Sequence, residues 1–278
     1  MKIAVIIPTH CPPSVINLTV GTLLRTHSQH DLNIHIGAHS NYKDYYSDLS
    51  LFEDLRKIAS IHLVDEIDWM EHRKNLNRYS LMHSKNLENL FHQIQYYDFD
   101  YLLILDHDLM LKTDFVTEIT KLYPQADLLG ALFDDTDKMW KARHSGDGIE
   151  VQVTPRMVPW CLLLSRKLYK AIITDLSVMR PLDIYDPIAI ANVCKHYGSE
   201  SKLPIFSDTF AWVLYKCKFE WGMNLGIVTK DQMEKWVHHF FCGSFNYGQW
   251  AMHEKHGPHI TEIEKIYRET FPNGINKR

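Results

Sequence analysis

The sequence predicts an α/β protein built on a mostly parallel sheet with helices on both faces. Three observations carry that expectation. Short, continuously apolar runs rich in β-branched residues, such as residues 3–7, have the pattern of strands covered on both sides. Stretches of helical spacing alternate with them, as crossovers between parallel strands require. One apolar run, residues 101–105, stops abruptly at Asp106-His107-Asp108, as a buried strand does at a polar sheet edge.

Taken in order, residues 3–7 form the first strand. Residues 8–13 supply turn chemistry, and Ser14 caps a helix running to His27. Residues 32–38 are the second strand, ended by the polar turn His39-Ser40-Asn41. A helical stretch over 51–58 leads to a third strand at 61–64. Leu87, Leu90, Phe91 and Ile94 recur at apolar spacing and predict a helix over 85–96. Residues 101–105 are the fourth strand and 127–133 the fifth. Beyond them, 151–153 and 157–164 read as strands, the latter feeding a helix from Arg166. Further helices are expected over 184–196, 209–218 and 260–270. No linker or repeat divides the chain, so residues 1–278 read as a single domain.

Composition narrows the function classes. The 278 residues are 45% hydrophobic and 23% charged, with 12 Gly and 11 Pro, which excludes a fibrous or low-complexity chain. No apolar run approaches the ~18 residues of a membrane span. The net charge of -4 speaks against a dedicated nucleic-acid binder, whose affinity rests on clustered Lys and Arg. The five cysteines are scattered without a C-x-x-C pair, which argues against a disulfide framework or thiolate zinc site. The opening apolar run is too short for a secretion signal and Pro8 interrupts it. The expected setting is cytoplasmic.

The D-x-D pair carries the chemistry. Carboxylates at the carboxyl edge of a parallel sheet lie where open α/β folds place ligands. Such a pair suits a hard divalent cation, Mg²⁺ or Mn²⁺, which takes oxygen ligands and completes its shell with substrate phosphates.

The opening KIAVIIPTH, a second strand followed by a Ser-containing turn, and a mid-chain strand running into D-x-D resemble the GT-A fold of nucleotide-sugar glycosyltransferases. The likeness is greatest to the inverting family 2, and it covers the first half of the chain better than the second. One feature departs from that family. An acidic turn is usual after its second strand, whereas here the turn is Gly37-Ala38-His39-Ser40, which leaves the nucleobase contact open.

The resemblance implies that residues 1–133 are the nucleotide-sugar-binding half and 134–278 the acceptor-side, site-completing half. Pro8, Thr9, His10 and Ser40 would line the nucleotide pocket. His83, Ser84 and Lys85 would contact base and ribose before a helix, and Asp106 and Asp108 would hold the metal. It also implies a late histidine as a further metal ligand, which points to His238 or His239. Adjacent strand residues face opposite ways, so one at most would reach the metal. Asp208, in Phe206-Ser207-Asp208-Thr209, is the expected general base at a helix start. Asp183, Asp186, Asp134 and Asp135 are its rivals, and helix capping is the rival account of Asp208 itself. Trp140, Arg143 and His144, followed by Gly146 and Gly148, read as a mobile acceptor-side stretch.

The leading expectation is a metal-dependent hexosyl- or pentosyltransferase acting on a nucleotide-diphosphate sugar with inversion. A glycan or polysaccharide precursor is the expected acceptor, and a hydroxymethylated pyrimidine in viral DNA the alternative. A sugar nucleotidyltransferase is disfavoured because the PTHCPPSV loop lacks the glycines and basic residues that cradle a triphosphate. A catalytically silent binding module is disfavoured by the presence of both Asp106 and Asp108.

Overall fold

In β1 (Lys2–Thr9) every residue from Ile3 onward is buried, and alternate side chains enter two different cores. Ile3, Val5 and Ile7 meet Ile16, Val20 and Leu23 of α1 (Pro13–Thr26). Ala4 and Ile6 meet Leu87, Leu90 and Phe91 on the opposite face. A strand covered on both sides must be apolar at consecutive positions, which is why this run shows no alternation. The structure, a computed structural model, describes residues 1–9, 13–39, 53–64, 78–143, 148–180, 187–199, 203–240 and 249–275.

The chain continues through β2 (Asp31–His39), α2 (Glu53–Arg56), β3 (Ser60–Val64) and α3 (Arg78–Ile94) to β4 (Tyr101–Leu105). Then come β5 (Leu109–Leu111), α4 (Phe115–Leu122), β6 (Leu128–Ala131), β7 (Trp140–Arg143), β8 (Glu150–Val153) and β9 (Cys161–Ser165). The last part holds α5 (Arg166–Thr174), α6 (Pro187–Tyr197), β10 (Ile205–Phe206) and α7 (Ala211–Phe219). It closes with β11 (Leu225–Val228), α8 (Lys230–Trp236), β12 (Val237–His239) and α9 (Gln249–Thr270).

Seven strands form the central sheet in the order β3-β2-β1-β4-β9-β6-β11. Every neighbouring pair is parallel except those of β9, which runs antiparallel to both β4 and β6. The mostly parallel α/β sheet expected from the sequence is therefore what the chain forms. Its parallel strands bring the ends of β1, β2 and β4 to one edge. Two smaller sheets stand beside it: β10-β8-β7, and the antiparallel pair β12-β5. No described helix is long and apolar enough to cross a membrane.

The structure corrects several expected boundaries. The helix expected from Lys85 starts at Arg78, and the one expected from Thr209 starts at Ala211. The strand expected over 157–164 starts at Cys161, because Pro159 has no N–H to give a ladder. Met157 makes only an isolated bridge to Leu132. The expected mobile stretch at Trp140 is instead the strand β7, paired antiparallel with β8; His144 and Gly146 lie outside the described residues. The first part of the helix expected over 51–58 and residues 184–186 also lie outside them.

One glycine sets how the helix layer sits. A Cβ on Gly37 would lie 2.0 Å from Asn86 Oδ1 and 3.0 Å from a Leu90 methyl. Only a bare backbone lets α3 approach β2 this closely, and Asn86 Nδ2 then donates to the Gly37 carbonyl at 2.8 Å. That bond fixes α3 against the sheet, with His83 in the turn preceding Asn86.

Candidate metal and donor site

The D-x-D turn is held from three sides. The Asp106 N–H donates to the Trp160 carbonyl at 3.0 Å. His107 turns the other way, its Nδ1 lying 3.4 Å from the Pro8 carbonyl at the end of β1. The Thr19 hydroxyl on α1 donates to the His107 carbonyl at 2.6 Å and accepts the Leu109 N–H at 2.9 Å. One turn on, the Thr22 oxygen accepts the Leu111 N–H at 3.1 Å. Two threonines of a buried helix face thus serve as a template for the short strand β5.

The other edge of β5 recruits the histidine. β12 pairs with it antiparallel, setting His239 opposite Leu109 and His238 opposite Met110. The Phe240 N–H donates to the Asp108 carbonyl at 3.1 Å and extends this pairing into the D-x-D turn. His239 Nε2 then lies 3.1 Å from Asp108 Oδ1, while Trp160 flanks its ring with centroids 5.1 Å apart. His238 is on the opposite face of the strand, exposed and edge-on to Phe240. The alternation of the strand therefore turns His238 away from Asp108.

Asp106, Asp108 and His239 can each present a ligand atom within 4.8 Å of the others'. Asp108 is 2% exposed. A carboxylate so buried demands a partner, and His239 meets the need. Burial disfavours the charged imidazole, but the Asp108 charge and hydrogen bond, with Asp106 beyond, outweigh it and raise the His239 pKa above 6.5. Two carboxylates and an imidazole, gathered at one point, fit a divalent transition ion such as Mn²⁺.

His83 forms the next wall. Its Nε2 lies 3.5 Å from Asp106 Oδ1 and its Nδ1 lies 3.4 Å from the Thr209 hydroxyl. Asp208 stands beside Thr209, one carboxylate oxygen accepting the Thr209 N–H at 2.7 Å and the other paired with the Arg156 guanidinium. Arg156 in turn lies over the Phe133 ring, 4.0 Å from its centroid. The N-cap of α7 is Phe210, in a left-handed conformation at φ 67°, so the capping account of Asp208 does not hold.

Other expected site residues fare differently. Thr9 is buried at the end of β1. Ser84, expected to face the donor, lies inside α3 and bonds its own helix through the Leu81 carbonyl at 2.8 Å. Lys85, expected there too, reaches Glu88 at 3.2 Å, and Arg180 holds the same carboxylate. Both shifts follow from the earlier start of α3, which places these residues inside the helix rather than before it. Asp135 accepts the Lys230 N–H at the start of α8 at 2.9 Å, which commits it to structure. His10, Ser40, Asp183 and Asp186 lie outside the described residues.

Thr19, Trp160 and Arg156 carry no signal in the sequence. No spacing marks them, since each acts through the backbone or through a partner distant in sequence.

No protein-family model matches the chain, and no curated protein matches it. Among solved structures it is similar to the galactosyltransferase LgtC in complex with donor and acceptor sugar analogues, with TM-score 0.48, 13% identity and 96% of each chain covered. It is also similar to mouse xyloside xylosyltransferase 1, with TM-score 0.42, 13% identity and coverage of 82% of this chain and 85% of that one. A third is the inositol-1-phosphate CTP transferase from T. maritima, with TM-score 0.39, 8% identity and coverage of 81% and 84%. These likenesses are too slight to assign a function.

Proposed function

We propose that the chain is a metal-dependent glycosyltransferase of the GT-A type, moving a sugar from a nucleotide-diphosphate sugar to an acceptor hydroxyl. The observation that carries this reading is the convergence of Asp106, Asp108 and His239 at the carboxyl edge of a mostly parallel sheet. The D-x-D and the opening strand, read in the sequence, support the GT-A resemblance independently.

Asp106, Asp108 and His239 would hold Mn²⁺ or Mg²⁺. When bound, the cation supplies neutralising charge to a departing diphosphate. The chain's own groups do the rest. Asp108 and His239 brace one another, so their ligand atoms are arranged in advance. Thr9, the Pro8 backbone and His83 border the donor side, where the resemblance also assigns His10 and Ser40. Asp208 is the proposed base: it takes the proton of the acceptor hydroxyl as the acceptor oxygen bonds the anomeric carbon. The bond from that carbon to the diphosphate oxygen breaks in the same step, and its electron pair leaves with the diphosphate. A single displacement of this kind inverts the anomeric configuration. A positioned base is worth ~10²–10⁴-fold. The net charge of -4 favours a glycan acceptor over hydroxymethylated DNA.

The test is release of nucleoside diphosphate from a panel of nucleotide-diphosphate sugars, with glycan and hydroxymethylated-DNA acceptors. Turnover should require Mn²⁺ or Mg²⁺ and vanish in the folded Asp106→Asn, Asp108→Asn double variant. Turnover undiminished by a chelator, or condensation of a triphosphate with a sugar phosphate, would overturn the proposal.

A further inference from the structure

Arg156 is the most sequestered cation of the described residues, 9% exposed, while the other lysines and arginines keep more of their surface in water. Burying a guanidinium is costly unless an anion and hydrogen bonds meet it. The Asp208 carboxylate and the face of Phe133 are among the groups that meet this one. Both ends of the ion pair are anchored. The Arg156 carbonyl accepts the Phe133 N–H at 3.0 Å, and Asp208 accepts the Thr209 N–H through its other oxygen. The Asp208 carbonyl also accepts the Ala211 N–H at 3.0 Å, tying the acid to the first turn of α7. From there contacts run through Thr209 and His83 to Asp106, so the pair belongs to the wall of the metal site.

We propose that Arg156 is the positioning residue of the Asp208 base, an inference that rests on the glycosyltransferase reading above. The guanidinium keeps the carboxylate ionised and, with the Thr209 N–H on the other oxygen, fixes the plane in which the remaining lone pairs meet an incoming hydroxyl. A planar, permanently charged fork stacked on a ring holds that orientation better than a flexible ammonium could. Among the described residues, Arg156 from the segment between β8 and β9 is the charged group paired with Asp208, while His83 of α3 reaches the neighbouring Thr209 and has Asp106 on its other side. Of these, Arg156 alone favours the ionised carboxylate at every working pH.

The experiment compares Arg156→Met, Arg156→Lys and Asp208→Asn in the full chain, using the donor and acceptor found active in the panel and Mn²⁺ as the binding probe. Arg156→Met should lower kcat by about tenfold or more, move the acid limb of its pH profile upward, and leave Mn²⁺ affinity within about twofold. Arg156→Lys should recover much of kcat and return the acid limb toward its original position. Unchanged kcat and acid limb in Arg156→Met would overturn the role. So would parallel losses of kcat and Mn²⁺ affinity, which would place Arg156 at the donor instead. If Arg156→Met does not fold, the neutral, polar Arg156→Gln decides: an acid limb moved upward with Mn²⁺ affinity kept upholds the role, and an unmoved one overturns it. Wild-type turnover in Asp208→Asn would overturn both the base and its positioning residue. Mn²⁺-dependent turnover in that same variant would leave the glycosyltransferase reading intact.

Discussion

The Thr19 hydroxyl fills the place of a missing sheet partner. It gives the His107 carbonyl and the Leu109 N–H a partner on the buried face of α1. Thr19→Val keeps the shape but removes both bonds, at about 1–3 kcal/mol. Stability should therefore fall in urea, and Mn²⁺ affinity should drop several-fold because the turn carrying Asp106 and Asp108 loosens. Thr19→Ser should restore both; Mn²⁺ affinity unchanged in Thr19→Val would show the turn to be self-supporting. Nothing in the sequence announces this role, since Thr19 reads as one more residue on the inner face of a helix. Asp106 and Asp108 were legible because an apolar strand ends on them. His239 was legible only as half of an adjacent pair, and the register of β12 against β5 is what sets it, rather than His238, beside Asp108.

At the scale of elements, what could be read depended on length. β1 and β4 are apolar runs of five residues or more, and such runs stand out without any partner information. β5 and β12 have three residues each, too few to display a period, yet their pairing delivers His239 to Asp108. The start of α3 was read late because Arg78, Tyr79 and Ser80 interrupt the apolar spacing. Gly37 shows how β2 and α3 depend on each other. Gly37→Ala would force Asn86 and Leu90 aside and strain the Asn86 bond, an overpacking cost of about 1–3 kcal/mol. The urea midpoint should fall accordingly. A variant as stable as wild type would mean that α3 can withdraw from the sheet without loss.

For the whole molecule, pH acts through buried histidines. Burial lowers His27 and His35 to about 4, with the neighbouring His62 adding to the shift of His35. His35 Nδ1 lies 3.0 Å from His62 Nε2, a contact that requires one ring to be neutral. Between pH 6.5 and about 4 the unfolded chain binds protons that the folded chain refuses. Their contribution to stability is thus complete above pH 6.5 and is lost as pH falls through that window. His239 has the opposite sign, since its raised pKa favours the fold at low pH, but it is one group against several. The urea midpoint should drop between about pH 7.5 and pH 5; a flat profile would contradict this balance. Acid should also weaken Mn²⁺ binding beginning above pH 6.5, because a protonated His239 cannot ligate. The most direct test of the central claim is a Mn²⁺ titration followed by electron paramagnetic resonance, with and without a nucleoside diphosphate. A single Mn²⁺ site is predicted, tightened by the diphosphate, abolished in the Asp106→Asn, Asp108→Asn double variant, weakened in His239→Ala and unaffected in His238→Ala. Binding that survives the double variant, or equal effects of the two histidine substitutions, would contradict the account.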